Sequence, residues 1–318
     1  MAMELIGAGG LTVELKQYYD RILLERAIPN FVHRNYGQKR NIPKGQGKSI
    51  EIRKMTRITI NTTALTEGSP PTETVATFTN VQATISQYGM YSKITDLALL
   101  QSYDPVMEEY AENYGEVMGD VLDQVVRDVI AGGTTIQYAS TAVTLGAATG
   151  VGSGMHLDSA ELREAVNTLK RNNIKQVADN KYISIIHPDV TRDLFADPNI
   201  VDAFLHAADK GERNPLLSGV LGDYMGIRFV ETSNAKIQSS AGLSGADVYN
   251  CLLIGRDAYA TTELDAQQAR LYVQKSGGVT DPLEQYQTVG WKAALAAVIL
   301  DQNAIVNIKV NSTRSLSA

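Results

Sequence analysis

A single cysteine, Cys251, stands among 318 residues, which leaves no disulfide framework to consider. It fits a chain that folds under reducing conditions. Its place in the apolar run Tyr249-Asn250-Cys251-Leu252-Leu253-Ile254 predicts a buried, inert thiol. No run of about 18 uninterrupted apolar residues occurs, and Met1-Ala2-Met3-Glu4-Leu5 lacks a positive head followed by an apolar stretch, so neither membrane insertion nor export is expected. The four histidines, His33, His156, His187 and His206, are scattered without the spacing of a metal site. No Gly-x-Ser-x-Gly elbow anchors a serine hydrolase of that type. Gly45-Gln46-Gly47-Lys48-Ser49 ends like a phosphate-binding loop. However, Ile42 stands where the first glycine is required, and a strand pattern follows instead of a helix. Acidic pairs such as Glu108 and Glu112 are like charges on one helix face, not a tuned acid and base. No catalytic, metal or cofactor-binding residues can be singled out, and no cofactor is expected.

What is present is a chain with an ordinary globular composition, 44% hydrophobic and 20% charged, long enough for one large or two joined domains. Its net charge of −6 hides an asymmetry. Residues 1–60 carry eleven Lys/Arg against five Asp/Glu, a balance of +6, whereas residues 61–131 carry two against eleven, a balance of −9. Such a division suggests surfaces that meet between copies, or a basic arm that touches nucleic acid. The basic residues are Arg34, Lys39, Arg40, Lys44 and Lys48.

Residues 12–28 read as an amphipathic helix ended by Pro29, followed by a basic, glycine-rich connector to Lys48. From Ser49 the period changes to two: Ile50, Ile52, Ile58 and Ile60 alternate with polar residues, as do Val81, Ala83 and Ile85. The phase shifts near Gly89, a hint of a bulge or bend. The turn cluster Thr66-Glu67-Gly68-Ser69-Pro70-Pro71-Thr72 separates the two runs, so residues 48–94 are expected to form one long two-stranded arm. Legs of roughly 18 residues at ~3.3 Å each would reach ~60 Å, while a body of ~250 residues has a radius of gyration of only ~18 Å. An isolated ribbon is marginally stable, so the arm should rest on another chain through Ile58, Ile60, Val75, Phe78 and Val81.

Asp104 as N-cap, Pro105 in the first turn and the Gly132-Gly133 stop delimit a long helix over 105–131. Val106, Tyr110, Tyr114, Val117, Val121, Val125 and Val129 are expected along its apolar face, with Met107, Met118, Leu122 and Ile130 beside it. Glu108, Glu109, Glu112, Glu116, Asp120 and Asp123 make an acidic face with the sign to receive a neighbour's basic arm. Beyond a Thr/Ala/Gly-rich loop, helices and strands alternate. A capping box opens a helix over 158–171, a strand covers Tyr182–Ile186, and His187-Pro188-Asp189 turns into a helix through 195. A helix over 200–208 and strands at 226–230, 248–254, 269–273, 288–300 and 304–310 follow.

In that order, the elements resemble a tailed-phage major capsid protein of the Hong Kong 97-type fold, in the family typified by the capsid protein of phage N4. The most specific residues are Asp281-Pro282-Leu283-Glu284-Gln285-Tyr286-Gln287-Thr288-Val289-Gly290-Trp291-Lys292, with Asn303-Ala304-Ile305-Val306, and the turn His187-Pro188-Asp189-Val190 with Arg192-Asp193-Leu194. The resemblance implies an α+β chain divided into an N-terminal arm (1–47), an extended hairpin loop (48–94), a peripheral domain with its spine helix (95–135 and 266–318) and an axial domain (136–265). It also implies a non-enzymatic subunit that self-assembles in the host cytoplasm, through hexamers and pentamers, into an icosahedral head. Its partners would be further copies of itself, a portal protein, a separate scaffolding protein and packaged double-stranded DNA. Some relatives join subunits covalently through a loop lysine; none lies between residues 55 and 92 here, so the arm should hold non-covalently. A bacterial nanocompartment shell of the same fold, or a soluble α/β enzyme, remain the alternatives.

Overall fold

The computed structural model describes residues 13–27, 31–42, 47–55, 58, 60–65, 67–68, 73–101, 106–139, 155–177, 179–202, 222–264, 269–275, 283 and 285–316; the side chains of 13–19, 99–101, 107–108, 263–264, 275 and 315–316 lie outside that description. Lys44, Asp104, Pro105, His206, most of the 134–154 and 281–284 segments, and the side chain of Glu108 therefore fall outside it too.

In chain order the elements are α1 (Val13–Ala27), β1 (Gln38–Ile42), β2 (Ser49–Met55), β3 (Phe78–Thr84), β4 (Ser86–Thr95), α2 (Asp96–Gln101), α3 (Val106–Ala131) and β5 (Ile136–Tyr138). Then follow α4 (Ser159–Arg171), β6 (Tyr182–Ile186), α5 (Pro188–Leu194), β7 (Asp223–Tyr224), β8 (Ile227–Glu231), β9 (Ile237–Gln238), β10 (Val248–Ile254), β11 (Tyr259–Leu264), β12 (Arg270–Lys275), β13 (Tyr286–Ile299) and β14 (Ile305–Val310).

Three strands, β6, β10 and β14, are buried along their whole length, as largely apolar strands are when both faces of a sheet are covered, and they bury Ser184, Asn250, Asn307 and Lys309 with them. They form the middle of a seven-stranded sheet of order β5-β14-β10-β6-β8-β7, with β9 beside β10. Alternation divides their side chains between two cores. Ile183, Ile185, Leu252, Ile254 and Ile305 pack with α3, whereas Tyr182, Ile186, Cys251, Leu253, Val306 and Ile308 pack with Leu162, Ala165 and Leu169 of α4. Burial pushes the Cys251 thiol up to about 12, so it is inert, as expected. Asp158 caps α4 by accepting from the backbone N–H groups of Ala160 and Glu161, and the ring of His187 caps α5 through the N–H of Asp189.

The other sheet is organised by β13. Along one side it pairs with β4 and along the other with β12 and then β11, while β1 adds to β11 in parallel. Val289, Trp291, Ala293 and Leu295 face α3, and Ala294 and Ala296 face the opposite way, against Ile42, Ala83 and Ile85. Gly290 is required where β4 crosses: a Cβ there would lie 2.6 Å from the Met90 carbonyl oxygen.

Four expectations change. The arm is not one ribbon over 48–94. Only β2 and β3 pair with each other, and after Ile85 the chain leaves them as β4 to join β13, which supplies ten backbone partners. The break falls at Ile85 and not at Gly89. The basic connector contains β1, whose parallel partner β11 the sequence pattern did not reveal. The boundary expected at 265/266 is crossed by strand pairing: β11 belongs with β13, and β14 with β10. Finally, the buried line of α3 is Ala111, Tyr114, Met118, Leu122, Val126 and Ile130, turned from the valine face because α1 packs directly over Gly115.

Candidate assembly surfaces

The β2–β3 ribbon pairs seven residues against seven, Ser49 with Thr84 through Met55 with Phe78. That spans about 23 Å at ~3.3 Å per residue, shorter than expected, before the chain continues toward the turn. Its root is held by the small cluster Ile42, Ala83, Ile85, Ala294 and Ala296, and an ion pair from Lys54 to Asp301 at 2.6 Å ties down the outer end of β2. Its outer part is uncovered: Ile60 is 70% exposed and Val75 74%, and Ile58 and Phe78 are exposed too. The guanidinium of Arg53 lies 3.6 Å above the centre of the Phe78 ring and shields one face of it. Val81, nearer the root, is half-buried. A ribbon of this kind has apolar area with nothing of its own chain to cover it.

The acidic residues of α3 do not form one open face. Glu112 pairs with Arg26 of α1 at 2.9 Å, and Asp120 accepts a hydrogen bond from the Asn234 amide at 2.8 Å. Asp128 is engaged by Arg127 and Lys236; its burial raises the carboxyl, but these cations more than offset that and hold it below its ordinary value. Glu109 and Glu116 are exposed.

The N-terminal segment grips this helix at a buried point that charge counting missed. Asp123, expected on the acidic outer face, is instead fully buried because the N-terminal turn packs over it, and one of its oxygens accepts from the backbone N–H groups of Val32, His33 and Arg34 at 2.9, 2.7 and 3.3 Å. The other oxygen lies 2.6 Å from His33 Nδ1. The Tyr259 hydroxyl donates to the His33 carbonyl, and burial drives the Tyr259 phenol well above its usual range. Arg34 is half-buried over the Phe31 ring; burial lowers its pKa, opposed by Asp123. No periodicity marks an isolated histidine as the partner of an aspartate ninety residues away.

Of the basic residues, Lys39 and Arg40 are exposed on β1 and Lys48 is exposed before β2. The structure adds cations that the linear reading did not associate with them. Arg53 and Lys54 of the ribbon, Lys175 after α4 and Arg256 after β10 surround the same depression as Arg40.

Two sheets pack about a long helix, and a two-stranded ribbon extends from them with its outer part uncovered. Solved structures place that architecture among capsid shell subunits of the Hong Kong 97 type. The capsid of cyanophage Pam1 is 16% identical, covers 98% of this chain and 96% of that chain, and superposes with a TM-score of 0.68. The capsid of cyanophage P-SCSP1u is 15% identical over 98% and 92% of the two chains, with a TM-score of 0.66. That of the Helicobacter pylori bacteriophage KHP30 is 13% identical over 86% and 87%, with a TM-score of 0.64. No curated protein sequence matches.

The chain belongs to the phage capsid protein family, whose sequence profile matches residues 79–308. It is a structural protein of the virion, a major capsid protein that associates with copies of itself to form the shell of the phage head.

Proposed function

We propose that the β2–β3 ribbon is the principal grip between copies, laying Ile58, Ile60, Val75 and Phe78, with Val81 nearer its root, across a neighbouring subunit. The observation that carries this is the exposure of those side chains, beyond the cluster at the ribbon's root and the Lys54–Asp301 ion pair that tie it to its own chain. Covering them gains roughly 25 cal/mol per Å² of apolar surface, and closed symmetry repeats the gain at every contact. Exposed Lys39, Arg40 and Lys48, with Arg34 and Lys44 in the same basic segment, meet carboxylates of a neighbouring copy. The α3 acids Glu108, Glu109, Glu112, Glu116 and Asp120 belong to that surface, although Glu112 and Asp120 also serve internal contacts.

In this reading, residues 1–47 form the arm and 48–94 the loop region. The α3 helix with the β13 sheet forms the peripheral part, and the seven-stranded sheet with α4 and α5 forms the axial part. Hexamers and pentamers close an icosahedral head in the host cytoplasm around double-stranded DNA, with a portal at one vertex and a separate scaffolding protein, and the subunit performs no catalysis. Deleting residues 61–79 tests the grip: the variant should keep near-normal circular dichroism yet give no particles. Closed shells from that variant would place the main grip elsewhere.

A further inference from the structure

The depression beneath the ribbon is a cavity of about 400 Å³ lined by both charged and apolar groups. Arg40, Arg53 and Lys175 reach it, are exposed, and have no carboxylate partner among the described residues. Lys54 and Arg256 are there too but are paired, with Asp301 at 2.6 Å and Asp257 at 3.7 Å. The groove thus has five cations against two carboxylates, an excess of three. Between the cations lie Ile52, Met55, Ile174 and Leu300.

The complementary surface is on the same chain. From residue 58 to residue 92 there is no lysine or arginine, and the two acids in that span are Glu67 and Glu73, both exposed near the ribbon's turn. Beside them stand Leu65 and Val75, each 74% exposed. Acid and apolar side chains therefore alternate at the turn, as cations and apolar side chains do in the groove. The two do not meet within one chain, since all four turn residues are exposed. A nucleic-acid backbone would satisfy the cations but offers nothing to the apolar lining.

We infer that the groove between the outer half of β2 and the loop after α4 receives the ribbon turn of another copy, with Glu67 and Glu73 meeting Arg40, Arg53 and Lys175, and Leu65 and Val75 covering the apolar lining. This rests on the proposal that the ribbon grips a neighbour, and it names the surface gripped. Complementary charge at such a contact fixes which register of neighbours is accepted, because like charges placed there repel.

The test uses full-length protein. The paired changes Glu67→Lys with Glu73→Lys, and separately Arg40→Glu with Lys175→Glu, should each lower the yield of closed shells by about tenfold or more while leaving circular dichroism unchanged. The two sets combined should restore shells. In wild-type shells built from mixed light and nitrogen-15-labelled chains, a water-soluble carbodiimide should join Glu67 or Glu73 of one isotopic form to Lys54 or Lys175 of the other. The glutamate carboxylate adds to the carbodiimide to give an O-acylisourea; the lysine amine attacks its acyl carbon, forming the amide as the acyl C–O bond breaks and the reagent leaves as its urea, carrying the amine's proton. Normal shells from either single set, no rescue by the combination, or cross-links only to lysines outside the groove would overturn the inference. So would normal shells from the Arg40/Lys175 variant that have lost only their nucleic acid. Wild-type shells in which the ribbon touches only its own subunit contradict the grip itself, and the groove assignment falls with it.

Discussion

His33 Nδ1 lies 2.6 Å from a carboxylate oxygen of Asp123, with both side chains fully buried between the N-terminal turn and the long helix α3. The other carboxylate oxygen satisfies three backbone N–H groups at the same turn. One aspartate therefore fixes the path by which the N-terminal segment leaves α1 and reaches β1.

Asp123→Ala should destabilise the isolated subunit by about 3–5 kcal/mol, because it leaves a buried imidazole and buried amides without an acceptor. Asp123→Asn should cost less, since its carbonyl can still accept from the amides. Denaturant unfolding of the unassembled chain reads both values, and equal stability of all three proteins would contradict this role.

Gly115 is where α1 crosses α3 most closely. A Cβ at this position would lie 2.7 Å from the Leu23 carbonyl oxygen and 2.9 Å from the Arg26 Cβ. In an exposed helix, Gly→Ala gains about 1 kcal/mol. Here the overpacking should reverse the sign and cost about 1–3 kcal/mol, visible as a lower unfolding midpoint and faster hydrogen exchange in α1.

The C-terminal segment after β14 is clamped through Asp189, which accepts from Arg314 at 2.9 Å and from the Tyr249 hydroxyl at 3.0 Å. Burial raises the Asp189 carboxyl, but these hydrogen bonds and the neighbouring His187 pull it below its ordinary 3.8. Its contribution is therefore complete above 3.8 and is lost as pH falls below that value. Burial also lowers His187 below its ordinary 6.5, so the unfolded chain takes up that proton first and stability declines as pH falls through 6.5. Both effects have the same sign. Acid should speed hydrogen exchange at residues 311–314 before it affects β10, and exchange there that is indifferent to pH, after correction for intrinsic rates, would contradict the clamp.

Local patterns made much of this fold readable. Tyr182–Ile186 and Val248–Ile254 were legible as near-continuous apolar runs, broken only by Ser184 and Asn250, because both faces of their sheet are covered. The long helix was legible because its stop signal and acidic composition lie within one segment. What stayed hidden depends on partners distant in sequence. Nothing in Ser86–Thr95 distinguishes a ribbon leg from a strand of β13's sheet, since both ask for alternation, and the ten-residue pairing with β13 decides. β1 is polar enough to pass for a connector until β11 lies beside it. The cationic groove gathers residues from β1, β2, the loop after α4 and the turn after β10, so its charge excess exists only after folding. The five proposed ribbon contacts were readable as apolar positions, and four of them are exposed. Sequence cannot show that Arg26 and Asn234 also take up Glu112 and Asp120 of α3's acidic face.

The most direct measurement is electron microscopy of particles assembled from the full-length chain, at a resolution that traces the ribbon. Closed shells are expected in which each β2–β3 ribbon lies across a neighbouring subunit, with Ile60 and Val75 covered by it. Shells in which every ribbon folds back onto its own subunit, leaving neighbours joined elsewhere, would contradict the grip.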